Sequence, residues 1–221
     1  VDREPLLEED KVGYLSMVGQ MMMRGTETRN KEQLDEEIDF IGASVFAGST
    51  NVFASGLSKY QEKIMELMTD VAFNPTFPEE ELEKIRKQTL SGLASAKDDP
   101  NAIAGNLNQA IVYGKDHPYG EIQTEETTNN ISVEDLKNYH STFFKPNISY
   151  LAIVGDVDPK QMKKMVKTYF GSWEQGEVPM PTFEMPQAPE KTEVSLVNRS
   201  ASVQSVINIT YPVKLEVGSQ D

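Results

Sequence analysis

Two imidazoles and no thiols are all that this chain offers to a soft or borderline metal: His117 and His140 are its histidines, and it has no cysteine. A catalytic zinc normally takes three protein ligands, often with a histidine pair on one helical face. His117 and His140 lie 23 residues apart in different predicted elements, so no such pair exists. The carboxylate runs Glu79-Glu80-Glu81 and Asp98-Asp99 are the other metal candidates. Their position at the start of helical periodicity reads instead as capping and helix N-terminal charge. Asp156-Val157-Asp158-Pro159 has proline where a calcium loop needs freedom. Ser44, Ser49, Thr50 and Ser55 have no histidine or lysine partner to activate a nucleophile. Gly48-Ser49-Thr50-Asn51 lacks the lysine and following helix of a phosphate loop. His117, in His-Pro-Tyr-Gly, reads as a turn residue packing on Tyr119, and His140 as a structural or solvent-facing helix residue.

The balance of 21 Lys plus Arg against 35 Asp plus Glu gives a net charge of −14. That charge favours solubility and argues against a nucleic-acid partner, whose phosphates it repels. No apolar run reaches the roughly 18–20 residues of a membrane span. The chain opens on Val1 rather than Met, as a processed or excised chain would, and its end, soon after a strand-like run, is expected to be a cut within a longer polypeptide.

Periodicity supplies the elements. Asp10 to Met23 reads as a helix with Leu15, Val18 and Met22 inward, stopped by Gly25. Met21-Met22-Met23 fills the core beneath it, with one methionine exposed. Asn30 caps a second helix with Gln33 three residues on and Leu34, Ile38 and Ile41 as its buried stripe. Ala43 to Leu57 alternates small, apolar and hydroxyl residues around a Gly-containing turn, which is a hairpin pattern. Helices follow over Lys59–Phe73, over Glu79 to about Ala96 behind Pro78, from Asp99-Pro100, from Ser132 with Asp135, and from Asp158-Pro159 to Gly171. Ile148 to Val154 reads as a central strand. Four prolines between Glu174 and Lys191 mark a linker, and Val194–Val197 and Ser205–Tyr211 are strand-like runs beyond it. Helices segregated from hairpin-connected strands give an α+β class.

In this order, the punctuation resembles the insulinase/pitrilysin family of zinc metallopeptidases, which includes the mitochondrial processing peptidases. The landmarks are Gly25-Thr26; Glu36 or Glu37 with Ile41-Gly42-Ala43; Asn74-Pro75 with Phe77; and Asp98-Asp99-Pro100. Next come Tyr113 with His117-Pro118-Tyr119-Gly120; Phe144-Lys145-Pro146-Asn147; Ile153-Val154-Gly155-Asp156-Val157; and Tyr169-Phe170-Gly171-Ser172-Trp173. They span residues 10 to 173 and look most like bacterial zinc-protease homologues of the family. The resemblance implies a mixed, largely antiparallel sheet covered by helices, of the LuxS/processing-peptidase type. It places a peptidase-like first domain, missing its first strand, at residues 1–173. A Pro-rich acidic linker follows at 174–191, and the truncated start of a second homologous domain at 192–221.

Active members carry H-x-x-E-H on the first helix, where positions i, i+3 and i+4 share a face: two histidines bind zinc while the glutamate works on its water. Here those positions hold Ser16, Gly19 and Gln20, and the distant glutamate ligand falls at Gly92. Neutral Ser and Gln are poor zinc ligands and glycine supplies no base. The resemblance therefore implies no catalytic residues, no zinc and no other cofactor in a metalloendopeptidase homologue. It also implies pairing with a motif-bearing homologous half or subunit that processes peptides, and a bacterial periplasmic or envelope location. In the family, the hairpin beside the first helix offers an edge for an extended peptide. Ala43, Val45, Ala47, Val52 and Ala54 are the candidate peptide-binding residues, with a closed, unoccupied sheet equally compatible. A stand-alone peptide-binding or scaffold protein with no proteolytic partner is the alternative function.

Overall fold

The computed structural model describes residues 1–198 and 205–213. A 3-10 turn at Glu9–Lys11 precedes α1 (Tyr14–Met22) and α2 (Lys31–Phe40). The hairpin β1 (Ser44–Ala47) and β2 (Val52–Ser55) leads to α3 (Gln61–Phe73), α4 (Glu79–Ala96) and α5 (Pro100–Tyr113). Then come α6 (Glu125–Asn130), α7 (Val133–Phe143) and α8 (Pro159–Phe170). The chain divides into two units, Val1–Glu4 with Gly13–Lys87 and Ile131–Met180, and Pro5–Val12 with Gln88–Asn130 and Pro181–Asp221.

The first unit holds nearly all of the hydrophobic core. Met17, Val18, Met21 and Met22 of α1, Leu34 of α2, Leu67 and Val71 of α3, Leu82 and Ile85 of α4 and Leu136 of α7 are buried in it. Sequence signals for its helix starts operate as read. Asn30 Oδ1 accepts from the Gln33 amide at 2.9 Å while Gln33 Oε1 accepts from the Asn30 amide at 3.0 Å. Ser132 and Asp135 form the same reciprocal box ahead of α7. The aromatic landmark after α8 packs back on α3: Phe73 meets Phe170 at 5.4 Å and Trp173 at 4.9 Å. Trp173 Nε1 donates to the Phe144 carbonyl at 3.0 Å.

In the second unit, Thr127 Oγ1 donates to the Val12 carbonyl at 3.0 Å and Asn130 Nδ2 to that of Asp10 at 2.9 Å, which ties α6 to the early turn. Asp99 caps α5 through the Asn101 amide at 2.9 Å. Among the described residues, Val12 is the one apolar side chain of this unit in the buried class.

Three expectations change. The first helix starts at Tyr14, because Gly13 has φ 108°, a backbone that breaks the helix and suits glycine. Its inward stripe is Met17, Val18, Met21 and Met22, with Leu15 half-buried. The α+β class holds, but the sheet among the described residues is the β1–β2 hairpin alone. Ile148 closes a 3-10 turn, and the residues after it run unpaired, with Tyr150 87% and Val154 96% exposed. β-propensity describes fit to a pleated, half-buried surface, and a strand forms only where a neighbour supplies the ladder. Val194–Val197 and residues 205–211 are exposed and form no strand for the same reason, although Asn208 and Thr210 bond to Ala104 and Asn108 of α5. The rest of the expected second-domain start, residues 199–204 and 214–221, lies outside the described residues.

Candidate functional site

The three motif positions of α1 point two ways. Ser16 and Gln20, one turn apart, are exposed and touch each other: Gln20 Nε2 donates to Ser16 Oγ at 3.4 Å, a long bond. Gly19, between them, is buried against the hairpin turn. A Cβ at Gly19 would lie 2.6 Å from Gly48 Cα, 2.8 Å from the Ala47 oxygen and 2.9 Å from the Gly48 carbonyl carbon. All three are backbone atoms. The space that a side chain at position 19 would enter is filled by main chain. Gly92, on α4, has open space around its Cβ direction.

Zinc does not fit this donor set. An uncharged hydroxyl and amide already bonded to each other and a glycine under a turn offer neither charge nor a tetrahedral cage. Among the described residues, no group of three or more His, Cys, Asp or Glu side chains is placed to hold a metal ion.

The histidines have other work. His117 Nδ1 accepts the Tyr119 amide at 3.1 Å, which leaves the proton on Nε2. Its ring lies among Tyr113 at 5.1 Å, Tyr119 at 5.4 Å and Phe183 at 5.8 Å, so it is the turn residue that its sequence context indicated. His140 Nε2 donates to the Ala72 carbonyl at 2.8 Å, and its ring stacks on Phe144 at 4.7 Å. Burial holds His140 below the usual imidazole pKa, against the opposing effect of that carbonyl. Of the acidic runs, Glu81 is buried and paired with Lys84, and Asp99 is a helix cap. A polar cavity of about 370 Å³ lies between the Arg24–Gln33 segment and the start of α4. Of its basic residues, Arg29 pairs with Asp70, Lys31 with Asp35 and Lys84 with Glu81, while Arg24 approaches Glu81 at 3.8 Å and leaves its buried Nε without a hydrogen-bond partner among the described residues.

The hairpin separates its two faces cleanly. Val45, Ala47, Val52 and Ala54 are half-buried, whereas Ser44, Phe46, Phe53 and Ser55 face outward. Phe46 and Phe53 are cross-strand partners and stack at 5.0 Å while remaining 52% and 46% exposed. The Gly48 amide donates to the Asn51 carbonyl at 2.8 Å, which sets the alternation of the ladder. Phe46/Phe53 and Ser44/Ser55 are then the hydrogen-bonded pairs. Val45 and Ala47 turn their amides and carbonyls to the outer edge of β1, and Val52 and Ala54 to that of β2. The Ala43 amide is taken by the Ile38 carbonyl at 3.1 Å. Small inward side chains, an aromatic outer face and outward-turned backbone groups are the components of strand addition.

Sequence reasoning missed the polar knot just beyond α1. Asp70, 6% exposed, accepts from Thr26 Oγ1 at 2.6 Å, Thr28 Oγ1 at 2.7 Å, Arg29 Nη1 at 2.7 Å and Asn74 Nδ2 at 3.1 Å. Arg29 Nε donates to Glu37 at 2.9 Å, and Lys63 reaches the same carboxylate at 2.8 Å. Burial pushes the Asp70 pKa up, but the donors around it outweigh that and hold it below the ordinary carboxylate value. Gly25 at φ 143° and the Thr26–Pro75 bridge bring the chain into the knot. Gly25-Thr26, Glu37 and Asn74-Pro75, separate landmarks in the sequence, are one structure. The available signal was Asp70 itself, an acid between the buried Leu67 and Val71 of α3.

Known proteins are similar to this chain in sequence and in fold. A family model described as insulinase (peptidase family M16) matches residues 8–123, and one described as peptidase M16 inactive domain matches residues 130–219. An uncharacterized zinc protease of Rickettsia bellii is 28% identical over 171 residues, which are 75% of this chain and 41% of that protein. A protease from Helicobacter pylori superposes with a TM-score of 0.69 at 20% identity, covering 81% of this chain and 46% of the other. The periplasmic protease PqqL from Escherichia coli gives 0.68 at 14% identity, over 85% and 22%. The chain thus spans less than half the length of these proteins. The family resemblance carried by the landmarks holds, and this chain belongs to the insulinase family, peptidase family M16.

Proposed function

We propose that this chain is a non-catalytic half or subunit of an insulinase-type peptidase. It pairs with a motif-bearing homologous half and binds peptides that the other half cleaves. The observation that carries the reading is the occupancy of the motif face: Ser16 and Gln20 bond each other, and the hairpin backbone lies where a base at position 19 would stand. The order of the two family matches, insulinase over residues 8–123 and inactive domain over 130–219, supports reading the chain as part of a longer peptidase of the family. On this reading no zinc is bound, and the β1 edge along Val45 and Ala47 takes an extended peptide, with Ala43, Val52 and Ala54 shaping the hairpin. Residues 1–173 act as the peptidase-like domain, 174–191 as a linker and 192–221 as the start of a second homologous domain. A periplasmic or envelope location is proposed by analogy with the periplasmic relative.

Metal analysis and partner capture test this together. Purified protein incubated with zinc and dialysed is expected to retain no stoichiometric metal. Affinity capture from the native source is expected to recover a homologue carrying H-x-x-E-H, and mixing the two is expected to raise cleavage of a peptide substrate. Tight one-to-one zinc binding sinks the non-catalytic reading. Peptide binding with no homologue recovered favours a stand-alone scaffold instead.

A further inference from the structure

Glycine inside a helix is costly, because it frees the unfolded chain and packs nothing. Gly19 sits in the middle of α1, so its presence there calls for a compensating contact. The hairpin turn supplies one: the Gly48 backbone lies so near that even a methyl group at position 19 would meet three main-chain atoms under 3.0 Å away. Two further ties hold the same turn and the hairpin base. Tyr139 Oη donates to the Ser49 carbonyl at 2.7 Å, and Gly56 lies against Ala43 and the Ile64 side chain at the open end of the hairpin.

We infer that Gly19 is a positioning residue that seats the hairpin directly on the α1 backbone and so presets the peptide-binding edge of β1 with no metal ion in the seat. The inference rests on the peptide-binding reading proposed above. Backbone-on-backbone contact fixes the height of the hairpin over the helix. It leaves the amides and carbonyls of Val45 and Ala47 turned outward at a constant spacing, beside the stacked Phe46 and Phe53 rings. The chain thus uses a glycine at a family catalytic position for geometry rather than for chemistry.

Gly19→Ala and Gly92→Ala make the same chemical change in a helix, at two positions of the family site, but only the first has a neighbour to collide with. Amide hydrogen exchange at Phe46 and Phe53, without any peptide present, reads the seat alone. Gly19→Ala is expected to speed it by about tenfold, the order expected when added atoms must displace packed backbone. Gly92→Ala and added zinc leave it unchanged. Affinity for a labelled, capped seven-residue peptide alternating threonine and valine reads the edge, and is expected to fall by a similar factor in Gly19→Ala only. Equal hairpin exchange in the two variants overturns the seat. Faster exchange with unaltered peptide affinity overturns the positioning role. Failure of the unaltered protein to bind the peptide defeats the peptide-binding reading and with it the role given to the seat, while the exchange comparison still reports whether the seat exists. If Gly19→Ala does not fold, Tyr139→Phe removes the Ser49 tie, and with it the acceptor of Arg3 Nε, without adding atoms. Exchange at the turn must then rise about threefold, the effect of one lost hydrogen bond, and an unchanged rate overturns the seat.

Discussion

The two ends of one surface on α1 have had opposite fates. At the positions read as the family motif, Ser16 and Gln20 are exposed and Gly19 is buried under the hairpin turn, and none of the three is a histidine or a glutamate. One turn beyond, Arg24-Gly25-Thr26 leads into a knot in which Asp70 alone accepts four side-chain hydrogen bonds. The difference separates two kinds of family residue. The side chains of Ser16 and Gln20 lie at the surface, whereas those of Thr26 and Arg29 hold the fold together through Asp70. Thr26 anchors the helix end to α3 through its bond to Asp70. Nothing in the core depends on an imidazole at position 16 or 20, whose side chains face solvent.

The largest effect is expected in the knot. Asp70→Ala leaves Arg29 facing Glu37 and Glu66 without its buried acceptor, and strands the hydroxyls of Thr26 and Thr28. Removing one partner from a buried, hydrogen-bonded charge cluster costs about 3–5 kcal/mol. Urea unfolding is expected to show a loss of that size with an unchanged slope. A loss below about 1 kcal/mol would place the stabilising weight elsewhere and erase the contrast between the two ends. The sign with pH follows from the lowered Asp70 pKa. The stability it contributes is complete above its unfolded value of 3.8 and is lost as pH falls through the folded one.

The motif face is expected to respond less in stability, and not at all in activity. Ser16→His, Gly19→Glu and Gln20→His together rebuild the family sequence on α1. The glutamate must displace the Gly48 backbone, an overpacking cost of about 1–3 kcal/mol, and Gly92 still withholds the distant ligand. The triple variant is expected to unfold at lower urea and to show no peptidase activity with zinc. Measurable zinc-dependent cleavage would mean that this face lost only side chains and kept its geometry.

How much of this was legible depended on whether a signal was local. Asn30 with Gln33, Ser132 with Asp135 and Asp99-Pro100 announced their helix starts because capping is decided within three residues. The reading of Ser16, Gly19 and Gln20 as motif positions is of the same local kind, being a statement about residue types at fixed spacing. The Gly19–Gly48 approach was not readable, since a helical glycine looks the same whether its face is open, as at Gly92, or closed. Ile148–Val154 misled for the converse reason. Its apolar, β-branched composition fits a strand, but pairing is a property of the neighbour. Asp70 lies 44 residues after Thr26 and 41 after Arg29 in sequence, and only packing of α3 beside the end of α1 makes them one cluster.

His140 sharpens the comparison from outside both regions. Its pKa is lowered by burial, so the folded state favours the neutral ring. Its contribution is complete above the unfolded value near 6.5 and is lost as pH falls from there through the lower folded value. Stability measured from pH 7.5 to 5 is expected to decline, and His140→Phe is expected to flatten that decline while leaving the loss below pH 4, due to Asp70, in place. A decline that persists in the variant would assign the mid-pH sensitivity to another group.

The smallest effect is the most discriminating for the motif positions themselves. Gly92→Ala adds a methyl group to α4 where no atom lies within 4 Å of it. The change removes backbone freedom from the unfolded chain and adds helix propensity, worth about 0.5–1 kcal/mol of stabilisation. Gly19→Ala carries the same helical gain but must also move the hairpin, so its net effect is expected to be destabilising. Opposite signs from one substitution at two family positions would show that the glycine at 92 merely fills a vacated place while the glycine at 19 has acquired a packing role. Equal stabilisation at both would mean that the hairpin yields freely, and the motif face would then be an empty surface rather than a rebuilt one.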